Sequence, residues 1–166
     1  MRPSLTIHLT EGNMKAKTIA LTISLVFVSV ALGFQDNPNM GTWKLNSGKS
    51  KLAGKARNDT VVYEAAGDQI KVTVDGVDES GGAVHSEWTG KFDGKDYAVT
   101  GDANSDMRSY RQVKKNTLAL TGKKGGKTTL TGRIVISADG KSRTVTTTAT
   151  DAKGKKVTNV AVYDKG

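Results

Sequence analysis

The sequence predicts an all-β fold: an antiparallel up-and-down meander barrel of about ten strands, with no or minimal helical lid. Three observations carry this. From Gly41 to Gly166 there is no proline, and the stretch is rich in Thr and Val and punctuated by Gly, a composition suited to continuous β-ladder. Short runs alternate apolar and polar residues, with turn formers between them. A flat sheet of about ten strands would leave two long edges exposed, and closure removes them. A two-sheet sandwich is the alternative. It requires longer crossovers, and residues 47–59 offer the one candidate.

The first strand, 42–46, places Trp43 and Leu45 on one face, and a Lys/Gly-rich connection over 47–59 follows. The second, 60–65, puts Val61 and Tyr63 together before a turn at Gly67-Asp68. The third, 69–74, alternates cleanly, with Ile70, Val72 and Val74 inward and Lys71 and Thr73 outward. Ser80-Gly81-Gly82 turns the chain into a fourth strand, 83–92, whose Val84, Trp88 and Phe92 share a face. Asp93-Gly94 reads as a type I′ hairpin turn, which needs positive φ at both central residues, and leads into 95–101. A loop over 102–106 precedes the sixth strand, 107–114, and Lys115-Asn116 turns into the seventh, 117–122, with Leu118 and Leu120 inward. Gly125-Gly126 leads to 128–137, where Leu130, Ile134 and Ile136 face in and Arg133 faces out. Asp139-Gly140 leads to the threonine-rich 142–150, and a turn around Lys153-Gly154 to the last strand, 157–164.

Upstream of the first strand the pattern is one of delivery. Met14-Lys15-Ala16-Lys17 is a short basic segment, Ile19 to Leu32 is an uncharged apolar run, and Ala31-Leu32-Gly33 offers small residues to a signal peptidase. Residues 14–33 therefore read as a signal peptide cleaved after Gly33, 34–40 as a lead-in, and 41–166 as the barrel domain. An uncleaved anchor is the alternative, but the run is short for a span of ~20 residues and contains Thr22, Ser24 and Ser29. Residues 1–13 read as an upstream extension from a mis-called start, with Met14 as the true one; a precursor shown by N-terminal sequencing to begin at Met1 would contradict this. The expected destination is outside the cytoplasm, periplasmic or secreted, with no stable membrane span after processing.

The absence of cysteine excludes a disulfide scaffold, a thiolate metal site, a cysteine nucleophile and a lipidated N-terminal cysteine. An exported domain of about 130 residues must then be held by its own core, and a chain of that size buries over ~60% of its unfolded surface. The formal charge is +9, and loss of Arg2, Lys15, Lys17 and Glu11 with the leader takes it to about +7. Such a charge suits solubility or contact with anionic envelope polymers. Export and the clustering of lysines in turns (Lys123-Lys124, Lys153-Gly154-Lys155-Lys156), with no helix to enter a groove, argue against nucleic acid as partner.

Gly41-Thr42-Trp43-Lys44-Leu45 at the first strand, the ten-strand meander and the closing Val162-Tyr163-Asp164-Lys165 resemble the calycins over about residues 41–165. The pattern is most similar to the intracellular fatty-acid-binding proteins, next to the lipocalins, and to small exported bacterial lipocalin-like proteins. The resemblance implies a barrel whose first-strand tryptophan closes one end, with a cation from Arg143 or Lys156 covering it. Two departures limit it. The thirteen residues at 47–59 lack the pattern of an amphipathic helix pair, so the lid is absent or a single turn. The last-strand Arg-x-Tyr that grips a carboxylate in that family is here Ala161-Val162-Tyr163, with the tyrosine and without the arginine.

Other motifs carry less. Gly125-Gly126-Lys127-Thr128 resembles the end of a phosphate loop, yet Thr121 replaces the leading glycine and a strand follows. Asp102-Ala103-Asn104-Ser105-Asp106 begins like a calcium loop, but Met107 stands where glycine is needed and Val113 where the bidentate glutamate belongs. His85 and Glu87 lie on the face opposite Val84 and Trp88 and read as a solvated pair. No catalytic residue, metal site or cofactor is assigned.

In Met107-Arg108-Ser109-Tyr110-Arg111, alternation puts either Met107, Ser109 and Arg111 or Arg108 and Tyr110 inside, and an inward arginine calls for an anionic group. The expected ligand-binding residues are Tyr63, Trp88, Phe92, Arg108, Tyr110, Arg111 and Tyr163, with apolar burial from Ile70, Val72, Leu118, Leu120 and Ile134. The expected function is an exported, non-enzymatic binding module for a small apolar or amphiphilic molecule. The alternative is an envelope-associated structural protein with a filled core and basic loops on anionic polymers. Interior volume separates the two.

Overall fold

The computed structural model describes residues 37–150 and 154–166. The expected upstream extension, the expected signal peptide, the start of the expected lead-in and Lys153 of the expected last turn lie outside the described residues. Ten strands follow in chain order: β1 (Gly41–Leu45), β2 (Arg57–Ala66), β3 (Gln69–Val77), β4 (Ala83–Gly90), β5 (Tyr97–Thr100), β6 (Met107–Lys114), β7 (Thr117–Lys124), β8 (Lys127–Ile136), β9 (Ser142–Thr150) and β10 (Lys156–Lys165). Each pairs antiparallel with its neighbours in sequence, and β1 pairs with both β2 and β10, so the sheet closes into a barrel. The expected meander is the observed one.

β1 is where closure happens. Trp43 stands opposite Val61 on one side and Lys165 on the other, and Leu45 stands opposite Tyr163. The pleat sends alternate side chains inward, and the buried apolar set follows that parity: Trp43, Val61, Tyr63, Ile70, Val72, Val74, Trp88, Val99, Tyr110, Leu118, Leu120, Ile134, Ile136, Ala161 and Tyr163. Arg143 is buried among them.

The connection from β1 to β2 has no lid. Ser47–Lys49 forms one 3-10 turn, capped by Asn46, whose side-chain oxygen accepts from the Lys49 N–H at 3.2 Å. Lys51 then exchanges two backbone hydrogen bonds with Val160 of β10, at 2.7 and 2.9 Å. Leu52 packs against the core at that end. No helix of the described residues is long and apolar enough to cross a membrane.

Turn chemistry corrects one expectation. Gly94 has φ +82°, but no non-glycine residue among those described has positive φ, so Asp93-Gly94 is not a type I′ turn. The two-residue turn with both central φ values positive is Gly125-Gly126, at +56° and +77°, between β7 and β8. Strand β4 also ends at Gly90, two residues short of Phe92. A Cβ on Gly90 would stand 2.6 Å from ring atoms of both Trp88 and Tyr97, so packing of those rings requires glycine here.

Candidate functional site

Because β4 stops at Gly90, residues 91–96 form a connection to β5 that runs beside β6, with a bridge between Asp93 and Arg111. Two backbone bonds tie it to β6: Gln112 N–H donates to the Phe92 carbonyl at 3.1 Å, and Gly94 N–H to the Tyr110 carbonyl at 2.9 Å. The tether turns the half-buried Phe92 ring into the barrel. Its centroid lies 6.4 Å from Trp88, nearly parallel at 19°, 6.3 Å from Tyr63, edge-on at 72°, and 5.8 Å from Tyr110. Trp88 and Tyr110 meet edge-on at 4.7 Å, and Tyr97 adds another edge contact to Trp88 at 5.7 Å. Four of the expected site residues, Tyr63, Trp88, Phe92 and Tyr110, are therefore one aromatic cluster inside the barrel.

Phe92 also lines an open groove of about 310 Å³ with Asn37, Asp68, Gln69, Ile70, Gly90, Lys91 and Gln112, bridged by a 2.6 Å Lys91–Asp68 ion pair. A second groove, of about 400 Å³, lies across the outer face of β8 and β9, between Arg133, Val135, Thr144, Thr146 and Thr148.

The parity of β6 is settled by its ladder. Tyr110 pairs with Leu120 and Arg108 with Gly122, so Arg108 and Tyr110 face inward. Arg111 is exposed on the outer face, where its methylenes pack beside Gly94, and it is not brought to the cluster. Arg108 lies at the far end of β6, where its guanidinium pairs with Asp102 and its carbonyl accepts from the Trp88 indole at 2.9 Å. Burial pushes the Tyr110 hydroxyl well above the usual phenol range, Tyr63 adds to this, and Arg108 and Arg143 oppose it.

Tyr163 faces inward from β10, donating to the Asn58 carbonyl at 3.1 Å. Burial pushes its hydroxyl up to about 12, against the opposing influence of Arg143. Sequence reasoning did not place Arg143 among the ligand-binding residues. It is 2% exposed, and its guanidinium carbon lies 5.0, 5.1 and 4.7 Å from the ring centroids of Trp43, Tyr63 and Tyr163. The expected cover on Trp43 is thus Arg143 rather than Lys156, and the second cation over that ring is Lys165, at 5.1 Å. Among the described residues the buried side-chain atoms with no hydrogen-bond partner are Asn39 Oδ1, Arg108 Nε, and Arg143 Nε and Nη1.

The remaining motifs are structural. Asp102 accepts from the Asn104 N–H at 2.8 Å as well as facing Arg108, and Asp106 accepts from the Gly125 N–H at 2.8 Å, so both carboxylates of the calcium-like loop are engaged. His85 is exposed and sits 2.6 Å from Asp75, its direct cross-strand partner, with Glu87 farther at 3.7 Å. Among the described residues no cluster of His, Asp and Glu is placed to hold a metal ion.

The fold defines a small, closed, ten-stranded antiparallel barrel. The chain matches no family model and no curated protein. Among solved structures it is similar to a redesigned β-barrel, mFAP1, in its complex with DFHBI, at 13% identity over 78% of this chain and 97% of that one, with a TM-score of 0.46.

Proposed function

We propose that the chain is an exported, non-enzymatic, calycin-like barrel that binds a small, partly apolar molecule. The observation that carries this is the aromatic cluster of Tyr63, Trp88, Phe92 and Tyr110, whose half-buried member Phe92 also lines an open groove of about 310 Å³. Apolar walls with a few convergent polar groups suit a small amphiphile. Phe92 lies outside the named strands, held to β6 by the Gln112–Phe92 backbone bond, and is the one half-buried ring of the four. Tyr110 and Tyr163 stay protonated at neutral pH; Tyr163 already donates to the Asn58 carbonyl, which leaves Tyr110 as the phenol that can donate to a ligand.

Native mass spectrometry of protein purified from its own compartment, followed by thermal melting against a panel of fatty acids and other amphiphiles, tests the reading. A bound small mass, or a melting temperature raised by one lipid class, is the expected result. A bare mass with no shift across the panel would overturn it.

A second reading has an observation of its own. Trp43, Trp88, Leu118, Ile136 and Val72 are all fully buried, as in a core filled by its own side chains. A filled barrel would act through its surface, as an envelope protein whose basic loops meet anionic polymers. Salt-sensitive binding to such polymers, with no ligand inside, would favour it.

A further inference from the structure

The outer wall of the barrel carries a pattern that the core does not require. Three cross-strand pairs line the groove between β8 and β9: Thr131 with Thr148, Arg133 with Thr146, and Val135 with Thr144. At the Thr131 end a row of threonines continues in register onto both neighbouring strands, to Thr121 of β7 and Thr158 of β10. Strands lie about 4.8 Å apart, so the row covers about 14 Å of wall. Threonine by itself reflects the preference of β-branched residues for strands. Arg133 has no such reason to be there. It is exposed, and the arginines that pair with a carboxylate among the described residues are Arg57 and Arg108. Its surroundings supply almost no acid. Strands β7 to β10 hold one carboxylate between them, Asp164, which already meets Asn46 at 2.6 Å and Lys49 at 3.6 Å.

We propose that this wall binds an extended acidic glycan, a polysaccharide strand whose uronate carboxylate meets Arg133 and whose hydroxyls meet the threonines. Charge complementarity selects the acid: a carboxylate completes the fork of N–H donors that Arg133 presents without a partner. The hydroxyls select the sugar. A threonine hydroxyl both donates and accepts, as a sugar hydroxyl does, so the two surfaces exchange hydrogen bonds in both directions. The groove sets one arginine among four threonines. That ratio fits a polymer in which hydroxyls outnumber charges, and not a nucleic acid or polyphosphate, whose every unit is anionic. Val135, 38% exposed, adds an apolar contact at the other end for the C–H face of a ring. The site lies on the outside of the barrel and away from the turns. It therefore rests neither on a ligand in the interior nor on contact through the basic loops.

Titration of the full folded chain with a galacturonate hexamer and with its methyl ester, the same backbone without the charge, tests this. The acid is expected to bind about tenfold more tightly than the ester, as a charge-assisted hydrogen bond predicts. Arg133→Gln should erase that preference. Lys95→Gln, which removes the same charge from the connection between β4 and β5, should leave it intact. Thr146→Val, nearly isosteric, should weaken the acid by about twofold to tenfold. Equal binding of acid and ester, binding of neither, or a preference that survives Arg133→Gln overturns the wall site. So does a preference that falls equally in Arg133→Gln and Lys95→Gln, which assigns the contact to net charge and leaves the basic-loop reading standing. Polyphosphate displacing the hexamer through Arg133, or an acid affinity untouched by Thr146→Val, overturns the glycan as occupant. The comparison of acid with ester on the wild-type chain needs no variant to fold.

Discussion

The guanidinium of Arg143 lies 4.7 Å from the ring centroid of Tyr163, the residue directly across the β9–β10 ladder from it. Trp43 completes the arrangement from β1, the strand on the other side of β10. The cation, the phenol and the indole therefore sit on three successive strands at the seam where the barrel closes. The strands that close the sheet thus also hold a buried guanidinium among aromatic rings.

Trp43 anchors that seam in two ways. It is fully buried, and its indole N–H donates to the Asn39 carbonyl at 2.8 Å. Trp43→Phe keeps most of the apolar volume and strands the carbonyl, so a loss of about 1–3 kcal/mol is expected. Trp43→Ala adds a cavity and is expected to cost about 3–5 kcal/mol. Urea unfolding of both variants checks the values and their order.

Gly90 ends β4 so that Trp88 and Tyr97 can meet beside it. Gly90→Ala forces a methyl group against both rings and is expected to destabilise by about 1–3 kcal/mol through overpacking. The near-ultraviolet circular dichroism of the aromatic cluster should change with it. An unchanged spectrum and unchanged stability would show that the rings are not packed as described.

Much of this was legible in the sequence, and the misses have physical causes. The strands were readable because one face of each is buried, so side chains alternate with period two between glycine-bearing turns. Strand β9 was the exception: Ser142 to Thr150 is so rich in threonine that alternation alone says little, and Arg143 was placed near Trp43 only through the resemblance, as an alternative to Lys156. In β6 the charges at Arg108 and Arg111 fall on opposite faces, so parity needed the pairing with β7 to resolve. Phe92 continued the alternation of β4 in sequence, but the packing of Trp88 and Tyr97 around Gly90 ends the strand first. The His85–Glu87 pair missed Asp75, which lies across a strand and has no local signal.

Alkaline stability follows from the buried phenols. Tyr163 is pushed up to about 12, and Tyr110 is raised as well. A phenol raised above its unfolded value of about 10 stabilises the fold fully below that pH and loses its contribution as pH rises through the folded value. Unfolding free energy should thus be flat up to about pH 10 and fall steeply toward pH 12, and Tyr163→Phe should flatten part of that fall. Urea titrations at stepped pH measure it.

The hydrogen bond to Asp75 holds the His85 imidazole above its ordinary value, against the opposing effect of desolvation, with further support from the charges of Asp75 and Glu87. A raised value means that the stabilisation is fully present below about pH 6.5 and is lost as pH rises through the folded value. His85 is exposed, so the global effect should be small. Proton NMR titration of its ring should give a midpoint above 6.5, and Asp75→Asn should lower it.

The most direct test of the central claim is where a ligand lands. Chemical-shift mapping during titration with a small amphiphile should move the Trp88 indole and the ring signals of Tyr63, Tyr110 and Phe92 together, with Arg111 and Thr146 on the outer face unmoved. Shifts confined to the outer groove at Arg133, Thr144 and Thr146, or no shifts at all, would contradict a binding site inside the barrel.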